Sequence, residues 1–359
     1  MKKIGILTSG GDCQGLNAAI RGVAKALYEE FGSDVEIYGI RDGYRGLIEG
    51  DFHRMHPEDF SGILTLGGTI LGTSRQPFKL MKSAAEGSET TKLEKMKDTY
   101  SKMGLDCLVV LGGNGTHKTA NLLSEEGLNV VSLPKTIDND LWGTDMTFGF
   151  QSAVDIATHV LDCIHTTATS HGRVFIVEIM GHKVGWLTLH AGIAGGADVI
   201  LIPEIPYDIT KIVQTLEQRN QAGKGFSILA VAEGAISKAE SKMSKKEFKA
   251  ARAAMAEPSI SYRLAKEIGE LTGQEIRVTV PGHFQRGGSP CAYDRVLSTR
   301  FGAAAARLIQ EKKYGNMVAL QNNRIVAVPL SEVAGKLKAV PTDCDTIQSA
   351  RDIGVSFGD

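Results

Sequence analysis

Two carboxylates stand two residues apart in the segment 134–140, which also contains a lysine at position 135. In an extended backbone, Asp138 and Asp140 face the same side of the chain. One of them can take a proton from an attacking hydroxyl group while the other holds Mg²⁺. An Asx-rich surface turn is the alternative interpretation of the same residues.

Two glycine-rich segments, 8–17 and 112–116, provide candidate sites for phosphate. Glycine lets backbone N–H groups approach a phosphate closely, and the start of a helix favours an anion. In the second segment, Thr116 is a candidate N-cap residue. Either segment alone also fits a tight turn that binds nothing, but two of them in one sheet can enclose a polyphosphate.

A cationic segment follows later in the chain, where Arg277 precedes a glycine-rich stretch that contains His283 and Arg286. Arginine binds phosphate through two parallel N–H bonds, so this segment predicts a site for a phosphomonoester. Arg75 and Arg173, each close after a serine, add two more cations. The alternative is that the histidine is a structural hydrogen-bond donor and each arginine an ordinary surface charge.

The elements that must position these residues alternate along the chain. Apolar runs predict buried strands at 3–7, 35–40, 107–111, 130–133, 173–179, 199–202, 228–232 and 277–281. Amphipathic patterns predict helices at 18–31, 92–103, 116–126, 151–170, 186–195, 208–222 and 242–256. This alternation predicts an α/β fold with parallel, doubly wound sheets, in which ligands bind beyond the carboxyl ends of the strands.

Two composition changes predict where the chain passes between domains. A polar loop ends near Phe148, and glycine and proline cluster at 282–290. The stretch 235–258 is rich in lysine and glutamate, so we expect a solvated helical insertion there.

The overall composition excludes several classes of partner. The chain has 359 residues, 42% of them hydrophobic, and a formal net charge of −1. This balance favours neither nucleic acid nor a membrane surface as a partner. Five scattered cysteines without CxxC spacing and the lack of a long apolar stretch indicate a cytoplasmic protein.

Two other functional classes fit the motifs poorly. An NAD-dependent oxidoreductase would need a GxGxxG turn, which the first glycine segment lacks. A solute-binding module would need an export signal, and the apolar run at the N-terminus is too short for one.

The chain resembles the 6-phosphofructokinase family from residue 3 to about residue 335, because seven motifs occur in the family's order. These motifs are LTSGGD at 7–12, LGGTILGTSR at 66–75, the glycine segment 112–116, TIDND at 136–140, SHGR at 170–173, EIMG at 178–181 and GHFQRGGSP at 282–290. The resemblance implies two Rossmann-like doubly wound domains with the active site in the cleft between them. It implies a nucleotide domain over 1–149 plus about 285–335, and a sugar-phosphate domain over 150–284 plus about 336–359. The implied reaction is the glycolytic transfer of a phosphoryl group to the 1-hydroxyl of fructose 6-phosphate.

The family's roles carry over to matching positions of this chain. The resemblance implies that Asp138 is the general base, that Thr136, Gly115 and Lys135 complete the catalytic set, and that Asn114 and Asp140 hold Mg²⁺. The implied donor-binding residues are Gly11, Arg75, Gln76, Gly113, Asn114, Gly115 and Thr116. The implied sugar-phosphate residues are Thr136, Ile137, Asp138, Arg173, Met180, Gly181, His182, Glu233, Arg277, His283, Phe284, Gln285 and Arg286. Because Arg173 resembles an arginine lent across a subunit interface, we also expect a homodimer or homotetramer.

Four positions depart from the family pattern or disagree about the phosphoryl donor. Gly115 leaves room for the α-phosphate of ATP, whereas Lys135 is typical of enzymes that use pyrophosphate. We predict ATP as the donor, since a lysine need not exclude ATP, and keep pyrophosphate as the alternative. Asn114 stands where the family has a metal-associated aspartate, which leaves a non-catalytic sugar-phosphate sensor as a further alternative, and His182 replaces an arginine.

Overall fold

Two sheets organise the chain, one in each of two units, and the computed structural model describes all 359 residues. Unit 1 comprises Met1–Ser152 and Arg286–Lys338. Unit 2 comprises Ala153–Gln285 and Ala339–Asp359. None of the helices combines the length and the apolar character that crossing a membrane requires.

The helices and strands alternate over most of the chain. The strands are β1 (Lys2–Thr8), β2 (Val35–Ile40), β3 (Phe52–Met55), β4 (Cys107–Gly112), β5 (Val130–Pro134), β6 (Val174–Ile179), β7 (Val199–Leu201), β8 (Ser227–Ala232), β9 (Ile276–Thr279), β10 (Asn316–Gln321) and β11 (Arg324–Pro329). The helices are α1 (Leu16–Phe31), α2 (Tyr44–Glu49), α3 (Lys92–Met103), α4 (Asn114–Glu125), α5 (Phe150–His171), α6 (Trp186–Ala194), α7 (Ile209–Gln221), α8 (Lys245–Ala253), α9 (Ile260–Thr272), α10 (Ala292–Gln310), α11 (Leu330–Val333) and α12 (Asp345–Asp352).

The sheet of unit 1 has the strand order β11-β10-β5-β4-β1-β2-β3. Its central strands are parallel and almost entirely buried, which explains their continuous apolar sequences. The pairing places Thr8 opposite Leu111 and Gly112 opposite Pro134. The carboxyl ends of β1, β4 and β5 therefore meet at one edge of the sheet, and the three loops that follow them emerge side by side.

The predicted α/β class is confirmed, and each predicted strand and helix is present with ends within a few residues. The antiparallel hairpin β10–β11 was not predicted. It turns at Asn322 and Asn323, whose φ angles of 49° and 62° lie in the left-handed region that asparagine tolerates. The hairpin extends the sheet beside β5, and the sheet is mixed rather than purely parallel because β11 and β3, at its two edges, are antiparallel to their neighbours.

The sheet of unit 2 has the order β7-β8-β6-β9, with all pairs parallel. The weakly patterned end of the chain covers its edge strand β7. Ser356 pairs with Val199, and the Ser356 carbonyl accepts the backbone N–H of Ile200 at 2.9 Å. Phe357 next to it is fully buried. These contacts satisfy backbone groups that an open edge would leave exposed.

The insertion at 235–258 contains the expected solvated helix, α8, which buries none of its residues, and a buried carboxylate that precedes the helix anchors the segment. Glu240 is 6% exposed and forms ion pairs with Arg252 at 2.9 Å and Arg263 at 2.8 Å. Arg263 also donates to the Tyr207 hydroxyl at 2.9 Å. Burial alone would raise the pKa of Glu240, but hydrogen bonds from Arg263 and Ser237 and the charge of Arg252 outweigh it and lower the pKa to about 2.

We predict that Glu240→Gln lowers the stability of unit 2 by on the order of 3 kcal/mol at pH 7, because two partly buried arginines lose their buried partner. Since folding lowers the pKa of Glu240, its stabilisation is present above the ordinary value of 4.5 and is lost as the pH falls towards 2. Urea unfolding of wild type and variant should therefore differ more at pH 7 than at pH 3. Glu270→Gln on the exposed face of α9 is the control, and an equal loss in both variants would contradict the prediction.

Candidate active site

A cavity of about 370 Å³ lies in unit 1 at the edge where β1, β4 and β5 end. The residues around it include every predicted donor-binding residue except Asn114. Lys135 and Thr136 also line it. Its complete wall consists of Ser9, Gly10, Gly11, Tyr44, Arg75, Gln76, Pro77, Phe78, Gly113, Gly115, Thr116, Lys135, Thr136 and Arg286.

The loop after β1 is fastened to the segment that carries Arg75. The backbone N–H of Gly10 donates to the Ser74 carbonyl at 3.1 Å, and the Thr73 hydroxyl donates to the Gly10 carbonyl at 2.7 Å. Gly10 has a φ of 89°, a conformation that favours glycine. These two bonds hold the loop and Arg75 together on one wall of the cavity.

The loop after β4 passes directly into helix α4, whose N-cap is Gly113 rather than Thr116. The predicted capping role of Thr116 is wrong, because Thr116 lies inside the first turn and its hydroxyl donates to the Ser9 carbonyl at 3.3 Å. The first-turn N–H groups of a helix have no partner within the helix and attract anions. Gly115 is exposed in this turn, and a methyl group placed on it would meet no atom within 4 Å.

A buried histidine supports the same turn from behind. The ring Nδ1 of His117 lies 2.9 Å from the Gly113 carbonyl, and the backbone N–H of His117 donates to the same oxygen at 3.0 Å. Burial lowers the pKa of His117 to about 4, so the ring is neutral at pH 7. Because a carbonyl only accepts, Nδ1 carries the ring proton.

The loop after β5 starts with a buried lysine that reaches back to the first loop. The ammonium group of Lys135 donates to the Gly11 carbonyl. Burial lowers the pKa of Lys135, and the positive charge of Arg286 adds to this effect, whereas the carboxylates of Asp138 and Asp12 oppose it. Lys135 therefore places its side-chain nitrogen in the wall of the cavity, within the electrostatic range of Asp138.

Asn139 determines the course of this loop around Asp138. Its φ of 52° lies in the left-handed region, and its side-chain oxygen accepts the backbone N–H of Thr147 at 3.1 Å. The backbone N–H of Asp138 donates to the Thr136 hydroxyl at 3.0 Å. The predicted catalytic residues Thr136 and Asp138 are thus joined in one hydrogen-bonded turn, which fixes their relative position.

Unit 1 offers few ligands for a metal ion. The structure contains no group of three or more His, Cys, Asp or Glu side chains arranged to hold one. The Asn114 amide nitrogen donates to the Lys336 carbonyl at 2.6 Å, so only its oxygen remains as a ligand. Mg²⁺ commonly binds through one or two carboxylates and the phosphates of a substrate, and Asp140 fits that pattern better than Asn114 does.

In unit 2, several predicted sugar-phosphate residues meet beyond the carboxyl ends of β6 and β8. One carboxylate oxygen of Glu233 accepts the backbone N–H groups of Gly181 at 3.3 Å and His182 at 2.8 Å. The Gln285 side-chain oxygen accepts the backbone N–H of Met180 at 3.2 Å. His182 is itself exposed and has a φ of 52°, so this turn presents its side chain to solvent.

Arg173 and Arg277 lie towards the opposite ends of the strands. Both form ion pairs with Glu275, Arg173 at 3.0 Å. Arg173 immediately precedes β6 and Glu275 immediately precedes β9, so the shared carboxylate marks the amino edge of the sheet. At ~3.3 Å per residue, the two ends of the six-residue strand β6 are about 16 Å apart. The structure thus separates these arginines from Glu233 within one chain.

The remaining predicted residues have diverse locations. Arg286 was grouped with the sugar-phosphate residues, but in unit 1 it lines the donor cavity and donates to the Asp12 carbonyl at 3.0 Å. His283 and Phe284 are exposed, and Phe284 retains 80% of its accessible surface. Ile137 is fully buried, so its side chain supports the loop from within.

Sequence reasoning missed Tyr44 and Phe78 in the cavity wall. The buried Tyr44 hydroxyl donates to the Thr116 carbonyl at 2.9 Å and braces the second loop. Phe78 is 41% exposed beside Arg75 and Gln76. Tyr44 follows strand β2 closely, and this position just after a strand could have identified it as a candidate site residue.

Comparison with known proteins agrees with this geometry. Residues 3–309 match the sequence profile described as Phosphofructokinase. The chain is 60% identical to the "ATP-dependent 6-phosphofructokinase" of Spirochaeta thermophila, over 100% of this chain and 98% of that protein. It is 48% identical to the protein of the same description from Propionibacterium freudenreichii subsp. shermanii, over 99% of both chains.

A solved structure gives the same result for the fold. The structure of Pichia pastoris phosphofructokinase in the T-state matches 98% of this chain with a TM-score of 0.78 and 32% identity. The present chain spans only 36% of the length of that protein. With a family profile over most of its length and relatives similar along their whole length, this chain belongs to the phosphofructokinase family.

Proposed function

We propose that this protein transfers the γ-phosphoryl group of ATP to the 1-hydroxyl of fructose 6-phosphate, giving fructose 1,6-bisphosphate in glycolysis. The observation that carries the proposal is the cavity of unit 1, in which two glycine loops adjoin Lys135 and Thr136. Two relatives similar over their full lengths are described as ATP-dependent 6-phosphofructokinases, which supports the same donor. Such an enzyme acts in the cytoplasm.

Asp138 is the proposed general base. As the sugar 1-oxygen forms its bond to the γ-phosphorus, Asp138 takes the hydroxyl proton and the bond to the β-phosphate oxygen breaks, which releases ADP. Lys135, Arg75 and Arg286 are the cations available to neutralise charge on the donor phosphates, together with the first-turn N–H groups of α4. Mg²⁺, held by Asp140 and phosphate oxygens, would supply further charge neutralisation.

The proposed sugar-phosphate site uses residues of unit 2. One oxygen of Glu233 is occupied by two backbone N–H groups, so its carboxylate is held in place and its other oxygen can accept a sugar hydroxyl. We assign Met180, Gly181, His182, His283, Phe284 and Gln285 to the same site. Arg286 is better placed to contact the transferred phosphoryl group, because it lines the donor cavity.

Donor choice rests on Gly115 and Lys135. The space beside Gly115 supports ATP, because an aspartate there would place a negative charge where the α-phosphate must pass. Lys135 is compatible with either donor, since its ammonium group already has the Gly11 carbonyl as a partner. Pyrophosphate therefore remains the alternative donor.

Asp138→Asn tests the proposed general base. We expect formation of fructose 1,6-bisphosphate from fructose 6-phosphate, ATP and Mg²⁺, and a fall in kcat of about 10²- to 10⁴-fold in Asp138→Asn. Binding of fructose 6-phosphate, measured by calorimetry, should change only slightly. Asp98→Asn, which removes a surface carboxylate on α3, is the control. A wild-type protein that binds the sugar phosphate without turnover would support the sensor alternative instead.

Substitutions at Gly115 test the choice of donor. We expect Gly115→Asp to lower kcat/KM for ATP at least about 100-fold through repulsion of the α-phosphate, while activity with pyrophosphate falls less. Gly115→Ala is the matched control, because it adds a methyl group into open space without charge. Equal losses with both donors in Gly115→Asp would mean that position 115 does not select the donor.

The shared use of Glu275 by Arg173 and Arg277 supports an oligomer. These arginines lie too far from Glu233 to bind the same sugar phosphate in one chain, so we propose that they complete the site of a neighbouring copy. Arg173 and Glu275 line a cleft at the amino edge of the sheet, away from Glu233.

This arrangement predicts complementation between two inactive variants. When Asp138→Asn and Arg173→Ala proteins are unfolded together and refolded as a mixture, a shared site restores about a quarter of wild-type activity in random dimers. Each variant refolded alone provides the control. Mixed oligomers that form, as seen by native mass spectrometry, but stay inactive would contradict a shared site.

A further inference from the structure

Residues 336–338, here called the strap, are the last segment of unit 1 before the chain enters unit 2 at Ala339. The strap contacts two of the active-site loops. The Lys336 carbonyl accepts the Asn114 amide at 2.6 Å, and the backbone N–H of Lys338 donates to the Asp140 carbonyl at 2.9 Å. Between these contacts, Leu337 pairs with Leu141 in an antiparallel bridge.

The side chain of Lys338 is the strongest of these attachments. Its ammonium group donates to the Asn139 side-chain oxygen at 3.0 Å and to the carbonyls of Thr144 at 2.8 Å and Asp145 at 2.9 Å. Three oxygen acceptors match the three donors of an ammonium group. A partly buried cation with a full set of acceptors holds those acceptors in one arrangement.

Asn139 needs this support because its backbone is in the left-handed region. That conformation is unfavourable for most residues with a side chain, and it persists where surrounding bonds favour it. Lys338 and Thr147 both donate to the Asn139 side-chain oxygen, so the strap stabilises the turn that carries Asp138.

The contact with the strap explains why asparagine fits position 114 better than aspartate does. Its amide nitrogen donates to the Lys336 carbonyl. An aspartate would instead place a carboxylate oxygen against that carbonyl oxygen, and neither atom can donate. The loop 113–116 after β4, here called the donor loop, is therefore bonded to the strap through an amide nitrogen that an aspartate would lack.

We infer that the strap is a positioning element, in which Asn114 and Lys338 hold the donor loop and the Asp138 loop in a fixed mutual geometry. This inference rests on the proposed function of the site and assigns neither side chain to the substrate. Asn114 is accordingly a positioning residue in this chain and not a metal ligand.

Asn114→Asp separates the two roles, because aspartate is the better metal ligand and the worse partner for a carbonyl. We expect kcat to fall between about 10-fold and 100-fold, as for a misplaced reacting group, while KM for fructose 6-phosphate stays within twofold. Hydrogen exchange of the backbone at 336–341 and 137–141 should become faster. Lys338→Met should give the same pattern, and Lys338→Arg should restore part of kcat.

Glu332→Gln, which alters an exposed side chain close to the strap in sequence, is the control and should leave kcat and hydrogen exchange unchanged. An Asn114→Asp protein with unchanged exchange, unchanged or higher kcat and a lower Mg²⁺ requirement would overturn the inference in favour of a metal ligand. If Lys338→Met does not fold, the Asn114→Asp protein alone decides between the positioning role and the metal-ligand role. If the wild-type protein lacks the proposed activity, that proposal fails separately, and the exchange data still test the strap.

Discussion

Parallel strands bring their carboxyl ends to one edge of a sheet, and in unit 1 the pairing of β1, β4 and β5 makes three loops emerge together. The loops come from positions 9–15, 113–116 and 135–140, far apart in sequence. Their proximity depends on register, because a shift of one residue would turn each buried strand residue to the other face. The cavity and its chemistry follow from this alignment.

Once the loops are adjacent, their polar groups satisfy one another. Lys135 from the third loop donates to the Gly11 carbonyl of the first, and Thr116 from the second donates to the Ser9 carbonyl. Tyr44 and His117 support the second loop from inside the protein. The cavity proposed to bind highly charged phosphates is thus preorganised by buried donors, which lose little free energy to reorganisation when charge develops.

Unit 2 distributes its polar groups differently. Glu233 and Gln285 accept backbone N–H groups at the carboxyl edge, whereas Arg173 and Arg277 share Glu275 towards the amino edge. The proposed acceptors for a sugar and the proposed cations for its phosphate therefore lie on separate surfaces of a single chain. The proposed oligomer resolves this separation, since symmetry repeats both surfaces on every copy.

The sequence alone determined the α/β class, most of the strands and helices, the family, and the residues Asp138, Lys135 and Gly115 as candidates for chemistry. These follow from local patterns: apolar runs, helical periodicity and glycine-rich turns after strands. Tertiary structure decided the partners of those residues. The bond between Asn114 and Lys336, the contacts of Lys338 with the turn at Asn139 and the place of Arg286 in the donor cavity join segments more than a hundred residues apart. No local pattern encodes such contacts, because they exist only when the packed strands have brought distant loops within hydrogen-bonding distance.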